Sequence, residues 1–466
     1  MESLTPFQRK MLIGSILSAS FLFLFNQFLL ITAFPQIMAD FGINATQVQW
    51  LTTSFLLTTT ILIPTMGYFM GRFSTRMLTL VAIGFFIVGT GLAIVAPSFS
   101  LLIVARVVQA IGAGMMLPLV QTVLLLVYPI EKRGYAMGLM TMVVNVAPAI
   151  GPSIAGYIVD LSNWRFLFWL VLPLTIVLFI LNAKYMRNIT DQATSRLDIP
   201  SLVLSAVGFA GIILAISNSS VYGFNNSFVL IPALVGVLAL ALFIWKQLRM
   251  DAPMLNLHLF KRKWFVHGTI LTFVISILLL STETLLPLFI QDGQNRSAFI
   301  SGMVLLPGTL LLSLTAFLSG KWFDRFGGKI LGLIGYSTLL ITFVWFSLMG
   351  AETSVASMII CFSLFMGAVG ITMTPATAIA MNALKQEDLA HGTAILNTLK
   401  QFGAALGVTV LTTIVSLNAA KPDHSYVEGT LIGLRWAFLT MSILSLLALL
   451  LVIFAQNRSK STNTLM

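Results

Sequence analysis

The sequence predicts an all-α integral membrane protein of fourteen transmembrane helices, arranged as six, two and six, with both termini in the cytoplasm. Three observations carry that expectation. Hydrophobic residues fill 58% of the 466 positions and charged residues only 9%, more apolar surface than a water-soluble fold can bury. Apolar runs long enough to cross about 30 Å of hydrocarbon recur from end to end. A Gly-rich, basic motif appears twice at corresponding points of two halves, as in transporters built from duplicated bundles.

Taken in order, the apolar runs fall near residues 11–36, 48–71, 77–96, 100–128, 134–159, 166–186 and 200–218. They continue near 228–248, 265–290, 298–320, 329–349, 355–382, 393–416 and 433–456. Each is long enough to span, some with tilt. Lys and Arg fix the orientation. An N-terminus inside puts Arg9, Lys10, Arg72, Arg76, Lys132, Arg133, Lys261, Arg262, Lys263, Lys321, Arg325, Lys329 and Lys385 in cytoplasmic connections. The other side then carries only Arg165, Arg296, Lys421 and Arg435. An even number of spans agrees with that alternation.

The two copies of the repeated motif are Gly67-Tyr-Phe-Met-Gly-Arg72-Phe-Ser-Thr-Arg76 and Gly320-Lys-Trp-Phe-Asp324-Arg325-Phe-Gly-Gly-Lys329. Each is read as a polar break between apolar runs, with glycines that permit positive φ. Asp324 can accept from backbone N–H groups or pair with a base, whereas Gly71 stands at its place in the first copy. The longest cytoplasmic connections, near 187–199 and 249–264, flank the seventh and eighth runs. Residues 1–190 are thus expected to form an N-terminal six-helix bundle and 263–466 a C-terminal one, with 191–262 an inserted pair and its linkers.

Several function classes drop out. The net charge of +11 is scattered in short clusters between apolar runs, which fits membrane topology better than nucleic-acid binding. No loop is long enough for a soluble domain, and no Gly-x-x-x-x-Gly-Lys-Ser/Thr stretch is present to hold a nucleotide. Cys361 is a lone cysteine in an apolar run, and His258, His267, His391 and His424 lack metal-ligand spacing. The first run is too long for a cleavable signal. Neither a nucleophile–base pair nor a metal constellation is visible, so an enzyme is not expected.

Ionisable groups inside a spanning helix are costly and point to function by default. Arg106 lies seven residues into the fourth run, with Gln109 one turn on, roughly 10 Å deep. Glu283 lies at a similar depth of roughly 12 Å in the ninth. A carboxyl there either bonds to Thr282, Thr284 or a neighbouring helix, or serves as a switchable proton carrier, because low dielectric penalises its charged form. Lys400, at the start of the thirteenth run, is expected to snorkel toward the cytoplasm. Asn26 and Gln27 near the middle of the first run cannot both face lipid. Gly151, Pro152 and Gly156 make a kinkable, close-packing stretch in the fifth run. Met373 is one of several methionines suited to an adaptable apolar pocket.

Together these motifs resemble the major facilitator superfamily, and within it the fourteen-spanner drug:proton antiporters. Arg106-x-x-Gln109-x-x-Gly112 is similar to the fourth-helix motif, Gly151-Pro152-x-x-x-Gly156 to the antiporter motif, and Gly320–Lys329 to the cytoplasmic loop motif. Asn26-Gln27 with Ala33-Phe-Pro35, Arg72-Phe-Ser-Thr-Arg76, Glu131-Lys-Arg-Gly134 and His391-Gly-Thr-Ala-Ile-Leu-Asn397 most resemble the lincomycin-resistance-type (EmrB/QacA-like) exporters. The resemblance implies the major facilitator fold, a bacterial plasma-membrane location and alternating access driven by inward proton flow, with no cofactor. It implies a cavity holding Asn26, Gln27, Gln109 and Met373, proton coupling through Glu283 and Arg106, and gating by Gly151, Pro152 and Gly156. It also implies a loop motif of Gly67, Arg72, Arg76, Gly320, Asp324, Arg325 and Lys329.

One departure stands out. Exporters of this pattern carry an acid where Gln27 stands; its loss either shifts the proton site onto Glu283 or means weaker coupling, a different stoichiometry or another substrate charge preference. The expected function is efflux of amphiphilic drugs or toxic compounds by a monomer whose partners are substrate, protons and lipid. The alternatives are a dedicated exporter of one endogenous metabolite or lipid, and a non-transporting membrane sensor of the same fold.

Overall fold

The computed structural model describes residues 6–43, 45–48, 50–189, 198–223, 225–250, 253–296, 298–419 and 425–454. Fourteen long helices carry the described chain. In the first half they are α1 (Pro6–Thr32), α2 (Trp50–Arg72), α3 (Thr75–Ile94), α4 (Phe99–Val127), α5 (Arg133–Leu161) and α6 (Arg165–Tyr185). Two more follow, α7 (Ile199–Tyr222) and α8 (Ser227–Arg249). The second half holds α9 (Lys263–Leu288), α10 (Ala298–Phe326), α11 (Gly328–Ser347), α12 (Val355–Asn382), α13 (Leu389–Ala419) and α14 (Tyr426–Phe454). No strand occurs among the described residues. Thirteen of these helices are long and apolar enough to cross a membrane, and α5 has comparable length at 29 residues. Pro64, Pro118 and Pro375 lie inside α2, α4 and α12, as membrane-spanning helices tolerate.

Buried apolar side chains gather in two cores. One spans Leu12 to Met186 and takes in the linker residues Met254 and Leu255 and the first turns of α13. The other spans Leu271 to Val452. Helices α7 and α8 pack on each other, tied by the Lys246–Asp198 ion pair at 2.7 Å and by Gln247 donating to the Ser201 hydroxyl at 2.7 Å. Large apolar side chains along α8, such as Leu234, Leu238 and Leu242, stay exposed, as a lipid-facing helix requires.

Three boundaries differ from the sequence expectation. Helix α1 stops at Thr32, and a separate short helix runs from Phe34 to Phe41, ending on Gly42 with φ +63°. Helix α13 begins at Leu389, four residues before the expected start, so Lys400 sits deeper than expected. The third correction concerns the repeated motif. Residues 320–326 are not a loop: α10 continues through them and only Gly327 separates it from α11. Gly327 has φ +81°, a conformation open to glycine, and it makes this one-residue connection possible. The first copy also lies mostly in helix, in the last turns of α2, but closes on Ser74, whose hydroxyl caps α3 by accepting from Met77 N–H at 3.2 Å.

Candidate functional site

A cavity of about 240 Å³ lies between the two halves, walled by α2, α4 and α5 on one side and by α9, α12 and α13 on the other. Its volume lies somewhat below the usual range for ligand pockets, which run from about 300 Å³ upward. Methionines 137, 140 and 373 and leucines 279 and 280 make the apolar wall; Gln121, Asn145, Asn397 and Gln401 supply amides. Two charged residues face it, Glu283 from α9 and Lys400 from α13.

Neither charge is paired with another described residue. The hydroxyls beside Glu283 are spent on their own helix: Thr282 donates to Leu278 O at 2.7 Å and Thr284 to Leu280 O at 2.9 Å. That disfavours the reading of Glu283 as an acid held by its threonine neighbours. Lys400 reverses another expectation. It does not snorkel out of a helix end; it lies eleven residues inside α13, roughly 16 Å along the axis, and lines the cavity.

The end of the molecule that carries most of the bases closes the cavity. Asn397 Nδ2 donates to Gln121 Oε1 at 2.7 Å, and the Thr122 and Thr393 hydroxyls lie 2.8 Å apart, joining α4 to α13. Farther toward that end α5 crosses α10 at close range. A Cβ on Gly138 would come within 2.8 Å of Ala316 O, so only glycine lets the backbones approach this far. Asp324, from the last turn of α10, accepts from Gly134 N–H at 3.1 Å and Tyr135 N–H at 3.0 Å. Because residues 320–326 are helical, the carboxylate is carried to the start of α5, where unpaired N–H groups and the helix dipole favour an anion.

The other copy of the motif is closed by different means. Gly71 brings no acid to the start of α13. The linker ahead of α9 takes that place instead: Arg262 pairs with Asp388 at 2.7 Å and donates to Ala383 O at 3.0 Å. Asn256 donates to the same carboxylate at 3.4 Å, and His391 bonds the Met254 carbonyl at 3.2 Å. Gly67 packs closely against His391 and Met254, where an added Cβ would lie 3.0 Å from each. The remaining motif bases face outward or sideways. Arg76 donates to Ala183 O at 2.6 Å, Arg325 lies 5.2 Å from the Phe326 ring centre, and Arg72 is exposed. Lys329 lies in the first turn of α11.

Of the residues expected at the cavity, Met373 lines it. Asn26, Gln27 and Gln109 are not part of its wall. Asn26 is buried with no acceptor for its Nδ2, and Gln27 is half-buried. Arg106 is placed apart from Glu283. Its partners belong to the first half: Nε–H donates to Leu51 O at 3.3 Å, Nη1–H to Gln109 Oε1 at 3.0 Å, and the guanidinium sits 4.4 Å from the Phe55 ring centre. Gln109 in turn donates to the Thr90 hydroxyl at 2.9 Å. This buried chain ties α2, α3 and α4 together. Gly151 faces α1, where a Cβ would lie 3.2 Å from Phe28 Cβ; the side chains of Pro152 and Gly156 lie outside the described residues. Sequence reasoning missed Lys400, Gln121, Asn145 and Gln401 as wall residues. Their signal was present, as polar side chains inside spanning runs.

A model of the Major Facilitator Superfamily matches residues 16–408. The chain belongs to that superfamily. The MFS-type transporter YcnB of Bacillus subtilis is 39% identical over 447 residues, covering 96% of this chain and 95% of that one. The lincomycin resistance protein LmrB of Listeria innocua is 36% identical over 385 residues, 83% of this chain and 82% of LmrB. Among solved structures, the human organic anion transporter MFSD10 superposes with a TM-score of 0.69 over 96% of this chain and 100% of that one. At 13% identity that likeness speaks to the fold alone. This member of the superfamily is therefore a multi-pass transporter of the bacterial plasma membrane, not an enzyme.

Proposed function

We propose that the chain is a secondary active transporter that exports amphiphilic drugs or toxic compounds in exchange for protons, by alternating access. The observation that carries this reading is Glu283, an acid without a partner among the described residues, in the wall of a cavity between two helical halves. A carboxyl so placed can hold a proton in one state and release it in another, because its charged form is costly in low dielectric and recovers when water or a cation arrives. The match to a lincomycin resistance protein over most of both chains supports export of drug-like cargo.

In this reading the basic end faces the cytoplasm. The arrangement described is then the one sealed toward the cell interior, by Asp324 on α5, by the Gln121–Asn397 and Thr122–Thr393 bridges, and by the linker on α13. Rocking the halves breaks these bonds and opens the cavity inward. Arg106 acts at a distance, through its tie of α2 to α3 and α4. The proton gradient supplies the energy, no cofactor is needed, and the monomer suffices.

The test is proton-driven flux of a lipophilic dye in everted vesicles, comparing wild type with Glu283→Gln. Loss of flux in the variant, with expression and dye binding retained, supports Glu283 as the proton carrier. Equal flux in both assigns Glu283 a structural role. A wild type that moves no dye overturns the drug-export reading.

A further inference from the structure

The floor of the cavity holds donors without acceptors. Asn397 Nδ2 donates to both Thr393 O, at 2.9 Å, and Gln121 Oε1, at 2.7 Å. Because the Thr393 carbonyl can only accept, it fixes which way the Asn397 amide points, and hence which end of Gln121 faces it. Gln121 Nε2 is left buried with no partner among the described residues. A buried donor in that state is costly and calls for an acceptor.

Lys400 lies one turn beyond Asn397 on the same face of α13, and side chains on a helix lean toward its N-terminus. That lean directs the Lys400 side chain toward the Gln121–Asn397 end of the cavity, where its ammonium brings up to three further donors. Both Lys400 and Gln121 line the cavity. Glu283 does not neutralise this cluster. A Cβ on Gly403 meets Phe273 and one on Gly407 meets both Ile277 and Ser281, so α9 and α13 run side by side with an offset of 126 to 130 positions. That register sets Lys400 level with residues 270–274 and puts Glu283 nine to thirteen residues farther along, a rise of roughly 14–20 Å along the helix axis. The cavity is polarised, with unmet cationic and amide donors at the floor and an acid toward the opposite end.

We propose that Lys400 and Gln121 form a subsite for an anionic group of the cargo, a carboxylate, sulfonate or phosphate. The body of the cargo lies along Met137, Met140 and Met373. This deepens the transport reading by naming the substrate class: amphiphiles that carry an anionic group, rather than lipophilic cations alone. Lys400 is a specificity-determining residue that touches cargo, while Glu283 is free to carry protons.

The test is binding to the purified full-length protein in nanodiscs of zwitterionic lipid, without a proton gradient. The probes are naphthalene fluorophores matched in size and bearing a sulfonate, a carboxylate, a trimethylammonium group or no charge. Wild type is expected to bind the two anionic probes at least about tenfold more tightly than the neutral one, the scale of a charge-assisted hydrogen-bond pair. Lys400→Gln abolishes that preference and leaves the neutral probe unchanged. Lys400→Arg retains most of it, which excludes a folding defect as the cause. Gln121→Met weakens only the anionic probes, by a few-fold. The proposal is overturned if wild type shows no preference for anions, or fails to bind them, or if Lys400→Gln weakens all probes equally. Glu283→Gln keeps the anion preference, so failure of proton coupling in vesicles and failure of this subsite are separate results.

Discussion

Asp324 of one half accepts hydrogen bonds from the backbone N–H groups of Gly134, at 3.1 Å, and Tyr135, at 3.0 Å, in the first turn of a helix from the other half. The acid does for α5 what a capping side chain ordinarily does from within the same segment. Here the cap is supplied from the other half, across the seam that opens and closes in the alternating-access cycle proposed above.

Replacing Asp324 with Ala removes both acceptors and leaves two N–H groups to water. A lost cap costs about 1 kcal/mol, which corresponds to about fivefold faster opening of that turn. Hydrogen exchange of the amides at positions 134–137 is expected to accelerate by that factor in Asp324→Ala, while amides in the middle of α5 keep their rates. Unchanged exchange at Gly134 and Tyr135 would show that the cap is energetically silent.

Arg106 serves a different purpose. Its planar fork reaches Leu51 O and Gln109 Oε1 at once while the guanidinium stacks on Phe55. An ammonium cannot reproduce that geometry. Arg106→Lys is expected to cost about 2 kcal/mol, the worth of one hydrogen bond to a charged group, read as a lower melting temperature. Glu283 keeps its place in the cavity wall, so dye binding is expected to persist in the folded variant. A variant as stable as wild type would argue against a structural tie.

At the end of the molecule opposite Asp324, Asp40 accepts from Arg165 at 2.7 Å and from Trp164 Nε1 at 3.1 Å. The Arg165 bond, then the Trp164 bond, hold its carboxyl below its ordinary value of 3.8. A carboxyl depressed by folding stabilises the native state above the unfolded value, and that stability fades as pH falls through the folded one. Wild type is therefore expected to melt higher than Asp40→Asn at neutral pH, with the difference shrinking below about pH 4. The pair is partly exposed, so the difference is expected to be small and reduced by salt. A gap independent of pH would remove the carboxylate as its source.

Much of this was legible in the chain. The number of spans follows from run length against bilayer thickness, and the basic loops from the distribution of Lys and Arg. The repeated motif showed that two halves share a plan. Glu283 and Arg106 announced themselves, because a charge inside an apolar run is rare for energetic reasons. What each of them touches was not legible. Run boundaries put Arg106 and Glu283 at similar expected depths, yet only Glu283 reaches the cavity, because depth is a property of one helix and contact depends on its rotation.

The sequence by itself determined the class of the molecule, since composition and periodicity act locally and set what each segment can do in lipid. Tertiary structure decided the rest. It turned the expected loop at 320–326 into helix and so aimed Asp324 at α5. It replaced the acid missing at Gly71 with Arg262 and Asn256 from a linker far along the chain. It also extended α13 back to Leu389, which moved Lys400 from a helix end to the cavity floor. In each case the deciding contact joins residues more than a hundred positions apart, and their meeting depends on the packing of whole helices rather than on any local preference.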